Sequence, residues 1–396
     1  MQEDIYKDIS ERTGGDIYIG VVGPVRAGKS TFITAFMEKL VLGSVSDEYE
    51  RERMTDELPQ SASGKTIMTT QPKFVPGEAA RVRLADNIEV NVRLVDCVGY
   101  MVDGAAGHLD GEKPRMVRTP WSEEEIPFTE AAEIGTKKVI TEHATVGVVM
   151  TSDGSIATEL PRSAYVPAEE RAVNELKSLG KPFVIVVNST MPASAETVKL
   201  AESLTEKYGA TAVPMDVLHL SEQDIVNLFE KLLMEFPLRR IDFKITKWLQ
   251  ALPADNAIIA DLKDKICAKA AGMSRMRDYV SALDMTEGSE YFSGISAEKI
   301  DLGTGTVTFS VQAKDDLFYK ALSAECGETI ADEFALMSIM KQLVFAKKEY
   351  DKLAAALEEV RETGYGVVTP SLDEMTLEEP EIVRQGSRFG VRLKAS

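Results

Sequence analysis

An α/β fold, with a mixed and mostly parallel sheet, is predicted by three features of this sequence. Apolar β-branched runs alternate with helical patterns from residue 16 to about 237. The first such run leads straight into "GPVRAGKS", which fits the phosphate-binding pattern G-x-x-x-x-G-K-[S/T]. An alternating pair of strands, 82–84 and 88–92, stands before an Asp-bearing strand. That hairpin is foreign to a simple Rossmann unit. It points to a GTPase-like P-loop nucleoside-triphosphatase domain with one antiparallel strand, here followed by an α+β domain.

"DIYIGVV" (16–22) is a buried strand, and "STFITAFMEKLVL" is a helix with Phe32, Ile33, Phe36, Met37 and Leu40 on one face. A polar stretch fills 44–73, and "ARVRLADNIEVNVRLVDCVGY" carries the hairpin. Residues 101–130 read as a long surface insertion. "FTEAAEIGTKKVITEHA" is a helix, "TVGVVMTSDG" a strand, "AEERAVNELKSLG" a helix and "KPFVIVVN" a strand. Another helix, the strand "ATAVPMD" and the closing helix "SEQDIVNLFEKLLMEFP" complete a domain over 1–238. A middle domain, 239–364, mixes short strands with a long helix over 328–363, on the order of 50 Å at about 1.5 Å per residue. Residues 365–396 open a further region that is expected to continue beyond the end of this chain.

With 64 acidic against 45 basic side chains the net charge is −19, which repels phosphate backbones and argues against a nucleic-acid partner. The 3 cysteines, Cys97, Cys267 and Cys326, are too few and too scattered for a disulfide framework or a zinc site. The polar N-terminus lacks a signal core, and no run reaches the roughly 18–20 apolar residues of a membrane span. A cytoplasmic protein without a transmembrane segment is expected.

The chemistry concentrates in two places. In the loop Gly23, Arg26, Ala27, Gly28, Lys29, Ser30 and Thr31, glycines let backbone N–H groups curl around phosphates. Lys29 reaches the β- and γ-oxygens, and the Ser30 hydroxyl serves Mg²⁺. In "DCVG", Asp96 holds Mg²⁺ through water and the Gly99 N–H senses a γ-phosphate. Between these, "SASGKTIMTTQP" offers Thr66, Thr69 and Thr70 as switch threonines, with exposed loop hydroxyls as the alternative.

At "FVIVVNSTMP" the base-reading motif Asn-Lys-x-Asp survives only as Asn188. Ser189 takes the Lys place and Met191 the Asp place. That Asp accepts guanine's N1–H and N2–H₂, donors that adenine lacks. Its loss makes ATP the better substrate than GTP, with Met191 either packing on a purine or filling the core.

These residues, with "DELPQSASGKTIMTTQPKFVP", "VRLVDCVGY", "PFTEAAEIGTKKVI" and "EPEIVRQGSRFGVRLKA", resemble the stage IV sporulation protein A family of spore-coat morphogenetic ATPases over essentially the whole chain. The resemblance implies ATP hydrolysis that drives self-assembly into a polymer, the basement layer of the coat. It places the layer in the mother-cell cytoplasm, peripheral to the forespore outer membrane surface. The catalytic positions fall on Lys29, Asp96, Thr69 and Thr70, and Mg²⁺ on Ser30, Thr70 and Asp96. The implied partners are other copies of the chain, a small amphipathic membrane-anchoring peptide and a coat-linking protein. A GTPase switch, or a nucleotide-binding structural protein with negligible turnover, is the alternative reading.

Other candidates are weaker. His108, His143 and His219 are scattered, and His143 reads as a helix-end residue rather than a catalyst. The helix over 328–363 carries Phe334, Met337, Met340, Leu343, Val344, Tyr350, Leu353, Leu357 and Val360 near heptad spacing. Packing within the second domain is the favoured reading for that stripe, and a protomer contact the alternative. Trp121 suits a small local core or an assembly contact. Arg384, Arg388, Arg392 and Lys394 form a basic island, either a solvated strand face or a dock for an acidic one.

Overall fold

The computed structural model describes residues 13–43, 45, 47–59, 72–85, 88–105, 109–110, 113–120, 122–157, 159–368, 376, 378–386 and 388–394. It gives the backbone alone for 81–85, 88–90, 109–110, 123 and 385. Two compact units divide the chain, Met1–Ala313 and Lys314–Ser396.

In the first unit, strand β1 (Asp16–Val22) feeds helix α1 (Lys29–Phe36), which continues as one π turn, Met37–Val41. Helix α2 (Glu48–Asp56) follows, within a stretch whose polarity hid it from the sequence reading. Its cap is Asp47, whose side chain accepts the Tyr49 N–H. Strands β2 (Lys73–Ala85) and β3 (Ile88–Asp96) are the expected hairpin, with β2 beginning well ahead of the alternating residues.

The region read as a long surface insertion contains two small ribbons. They are β4 (Leu109–Asp110) with β5 (Lys113–Pro114), and β6 (Met116–Thr119) with β7 (Ser122–Pro127). Helix α3 (Phe128–Lys138), β8 (Val146–Ser152), α4 (Arg162–Ser178), β9 (Phe183–Asn188), α5 (Ala195–Tyr208), β10 (Ala212–Met215) and α6 (Glu222–Met234) then alternate.

The six-stranded sheet has the order β10-β9-β8-β1-β3-β2. Every neighbour pair is parallel except β2 with β3. All residues of β8 and β9 are buried, so both faces of the sheet are covered, as a parallel sheet requires. Helix α6 shows how local pattern becomes packing. Ser221 and Asp224 form a reciprocal capping box, and Ile225, Phe229 and Leu232 turn inward. The Phe229 ring meets Phe36 of α1 edge-on at 6.0 Å. Each such buried side chain contributes roughly 1.5–3 kcal/mol by leaving water.

Still within the first unit, β11 (Arg240–Lys244) lies parallel to β13 (Thr306–Ala313), which pairs antiparallel with β12 (Phe292–Asp301). Helix α7 (Ala257–Ala270) and the 3-10 turn Met276–Ala282 stand between them in the chain. Glu235, fully buried, joins this segment to the main sheet. It accepts from the Thr211 N–H and hydroxyl at 2.7 and 2.6 Å, and its carboxylate lies 2.5 Å from Arg275 and 3.5 Å from Arg277.

The second unit holds α8 (Leu317–Cys326), α9 (Glu333–Thr363) and the hairpin β14 (Glu381–Gln385) with β15 (Arg388–Arg392). Helix α9 starts at Glu333 rather than 328, because the Asp332 side chain caps the Ala335 N–H at 2.8 Å. The reading of its apolar stripe as packed within a domain is overturned. Phe334, Met337, Met340, Leu343, Val344, Tyr350, Leu353, Leu357 and Val360 are all exposed, and Ala356 is the helix's buried residue. Heptad spacing states which residues share a face, not what covers it. The basic island lies on the β14–β15 hairpin, where Arg384, Arg388 and Arg392 are spread over both strands.

Candidate functional site

The site is built where β1 and β3 end side by side, with β9 ending at the same end of the sheet beyond β8. Parallel pairing puts Val21 opposite Asp96 in register, so the loop after β1 and the D-x-x-G after β3 leave the sheet together. Three glycines are structurally required, the first being Gly23, where φ is 125° and a Cβ would overlap the Met150 carbonyl. Gly28 has φ 93°, and a Cβ there would overlap the Asn188 amide. Gly99 has φ 91°, and a Cβ there would overlap the Gly23 carbonyl and the Lys29 ammonium. Arg26 is the one non-glycine residue at positive φ among the described residues, at 64°, and its guanidinium lies 3.5 Å from Glu159.

Lys29 opens α1 with only 5% of its surface exposed, and its ammonium donates to the Pro24 carbonyl at 2.6 Å. Burial holds its pKa below the usual lysine value, while the neighbouring Cys97 and Asp96 act the other way. The Ser30 hydroxyl donates to Asp96 Oδ2 at 2.9 Å. Asp96 Oδ1 is sealed from solvent with no hydrogen-bond partner among the described residues. Burial pushes the Asp96 carboxyl above the usual range, and the Ser30 bond and the Lys29 charge offset part of that rise. A buried carboxylate oxygen without a donor, beside a serine hydroxyl, is a donor set that fits a hard divalent cation such as Mg²⁺.

The third side is Asn188. Its amide donates to the Ala27 carbonyl at 3.2 Å, and its oxygen accepts from the Val217 N–H at 3.4 Å. Ser189 is buried, within 3.4 Å of the Thr197 hydroxyl, and accepts the Met191 N–H at 3.0 Å. Met191 is 67% exposed, so it does not fill the core beneath the loop.

Of the residues singled out from sequence, the structure brings Gly23, Arg26, Ala27, Gly28, Lys29, Ser30, Thr31, Asp96, Gly99 and Asn188 to one end of the sheet. Thr66, Thr69, Thr70, His108 and Trp121 lie outside the described residues. His143 is spent on an edge-on ring contact with Phe74 at 4.9 Å, and His219 pairs with Asp216 at 2.8 Å.

Sequence reading passed over Tyr100. It is 2% exposed, directly behind Gly99, and its hydroxyl donates to Glu175, 75 residues further on. An aromatic residue after D-x-x-G was visible, but its partners were not.

Residues 1–237 match a family described as "Stage IV sporulation protein A, ATPase domain", and residues 238–396 match "Stage IV sporulation protein A, middle domain". The chain is 45% identical over 396 residues to the stage IV sporulation protein A of Clostridioides difficile (strain 630), covering 100% of the chain and 80% of that relative. It is 47% identical over 392 residues to that of Bacillus subtilis (strain 168), and equally to that of Bacillus anthracis. Each match covers 99% of the chain and 80% of the relative.

Proposed function

The chain belongs to the stage IV sporulation protein A family, and from that premise we propose that it binds and hydrolyses Mg²⁺-ATP and couples hydrolysis to self-assembly. The product is a coat basement layer at the forespore surface, on the mother-cell side. The Lys29–Ser30–Asp96 cluster carries this reading: a buried ammonium, a hydroxyl and an orphaned carboxylate oxygen gathered at a phosphate loop.

Each group has a task that its surroundings suit. The Lys29 ammonium rests on a neutral carbonyl, and a phosphate oxygen is about twice as strong an acceptor. Ser30 and Asp96 would hold Mg²⁺, which when bound neutralises charge on the β- and γ-phosphates. The dipole of α1 and the loop N–H groups favour the same anion. Phosphoryl transfer needs positioning and electrostatics more than covalent chemistry, and these residues supply both. Thr69 and Thr70 are proposed as the switch threonines that cap Mg²⁺ and sense the γ-phosphate.

Adenine is preferred because guanine's usual reader is missing: Met191 offers no acceptor and Ser189 is turned to Thr197. A small amphipathic membrane-anchoring peptide and a coat-linking protein are the proposed partners. Among the described residues no helix is long and apolar enough to cross a membrane.

The test is phosphate release and sedimentation of the protein with Mg²⁺-ATP, Mg²⁺-GTP and a non-hydrolysable ATP analogue. Release from ATP exceeding that from GTP, with pelleting that needs hydrolysis and is lost in Lys29→Ala, is expected. A GTP preference overturns the adenine assignment. Wild-type assembly by Lys29→Ala overturns the coupling to hydrolysis.

A further inference from the structure

On the nucleotide reading above, we infer that Tyr100 is a positioning residue that couples the phosphate-sensing Gly99 to helix α3 and the β6–β7 ribbon. Tyr100 is held at both ends. Its backbone is zipped to the phosphate loop: its N–H donates to the Gly23 carbonyl at 3.1 Å, and its carbonyl accepts the Val25 N–H at 2.9 Å. Its phenol donates to Glu175 of α4, and the Arg171 guanidinium sits 4.6 Å from the ring centroid.

Arg171 extends the chain of contacts. It reaches Glu133 of α3 at 2.6 Å and Glu175 at 3.5 Å. A second link runs beneath, where the Cys97 thiol meets the fully buried Thr136 of α3. The N-terminus of α3 is tied to the ribbon ahead of it, the Phe128 N–H donating to the Arg115 carbonyl at 2.8 Å. One path of named contacts therefore joins the D-x-x-G loop to an element with no part in holding phosphate.

The geometry makes this link responsive to what occupies the loop. Gly99 packs against both the Gly23 carbonyl and the Lys29 ammonium. Lys29 cannot leave the Pro24 carbonyl for a phosphate, nor the Gly99 N–H turn toward one, without disturbing the Gly23–Tyr100–Val25 pairing. Tyr100 carries both of those backbone bonds, so they are disturbed together, and the displacement is delivered at its phenol. Burial first and the Glu175 carboxylate second push that phenol upward, so it remains a donor across the physiological range.

Hydrogen exchange of the 128–138 segment tests the coupling, measured with Mg²⁺ and AMPPNP, with Mg²⁺ and ADP, and without nucleotide. Fluorescence titration gives the affinities of the same nucleotides. Wild type is expected to show different protection of 128–138 with the two nucleotides. In Tyr100→Phe and in Arg171→Ala that difference should shrink at least about threefold while AMPPNP affinity changes less than about threefold. Turnover should fall in kcat more than in KM. Arg171 is partly exposed, so its variant keeps the test open if the tyrosine variant misfolds. Unchanged protection differences in both variants overturn the coupling, as does a wild type that binds both nucleotides with identical protection. A wild type that binds neither nucleotide overturns the nucleotide reading itself and the coupling with it.

Discussion

The Asn188 amide at the end of β9 donates to the Ala27 carbonyl of the phosphate loop at 3.2 Å, across 161 residues of sequence. It also abuts Gly28, leaving no room for a β-carbon there. The residue left from a base-reading motif thus acts on the loop from behind, as a brace.

Removing that brace should loosen the loop without dismantling the fold. Asn188→Ala leaves the Ala27 carbonyl and the Val217 N–H without their partner, at a cost of roughly 1–3 kcal/mol. Nucleotide affinity is expected to fall by about tenfold or more, as read by equilibrium titration. An unchanged affinity counts against the brace.

Met191→Asp restores an acceptor at an exposed position, so it should fold as wild type. The GTP to ATP ratio of kcat/KM should rise, on the order of tenfold if one paired hydrogen bond is regained. Competition between the two nucleotides in a phosphate-release assay reads the ratio directly.

Asp96→Asn separates stability from function. Burial raises the Asp96 pKa, so the folded state holds a proton at pH values where the unfolded chain has released it. By linkage this group's contribution to stability falls as pH rises from the ordinary carboxylate value upward. The variant should lose that slope, giving a melting temperature at neutral pH equal to or above wild type, while turnover drops by at least about a hundredfold. Calorimetry of both proteins between about pH 4 and 7 isolates Asp96, because the other carboxylates cancel in the difference. A variant that melts lower than wild type at pH 7 contradicts the account.

Cys97 should resist alkylation. Burial raises its thiol to about 11, outweighing the pull of Lys29, whereas Cys267 and Cys326 are exposed. Iodoacetamide on the folded protein near neutral pH should modify those two and leave Cys97 free until denaturant is added, as peptide mass spectrometry would show. Because its folded pKa lies above the ordinary thiol value of 9.0, this thiol's contribution also declines as pH rises from about 9 to 11.

Glu235→Ala is expected to cost about 3–5 kcal/mol, since it strands Arg275 and the Thr211 donors around a buried hole. A midpoint shift in urea with unchanged slope would measure it. Full loss of the transition would mean that the β11–β13 segment does not fold without this tie.

The phosphate loop, the D-x-x-G and the parallel alternation were legible because each is local. A strand, a glycine turn and a helix start occupy a few consecutive residues, and their chemistry follows from spacing. The β2–β3 hairpin was legible for the same reason, from two alternating runs around a short turn. Helix α2 was missed because its polar residues, with Met54 the one buried, leave no apolar stripe to read.

What tertiary structure alone decided is who meets whom. Tyr100 could be seen behind Gly99, but Glu175 and Arg171 reach it only because α4 packs beside β8. Glu235 is an ordinary surface-type residue in a helix-end sequence until Arg275 closes over it. The stripe on α9 reads as a core seam by spacing, yet its residues remain exposed. By itself, the sequence determined the local geometry that binds phosphate, through backbone preference and side-chain chemistry at fixed spacing. Burial and long-range pairing came only with the folded chain, because they depend on which surfaces the other segments cover.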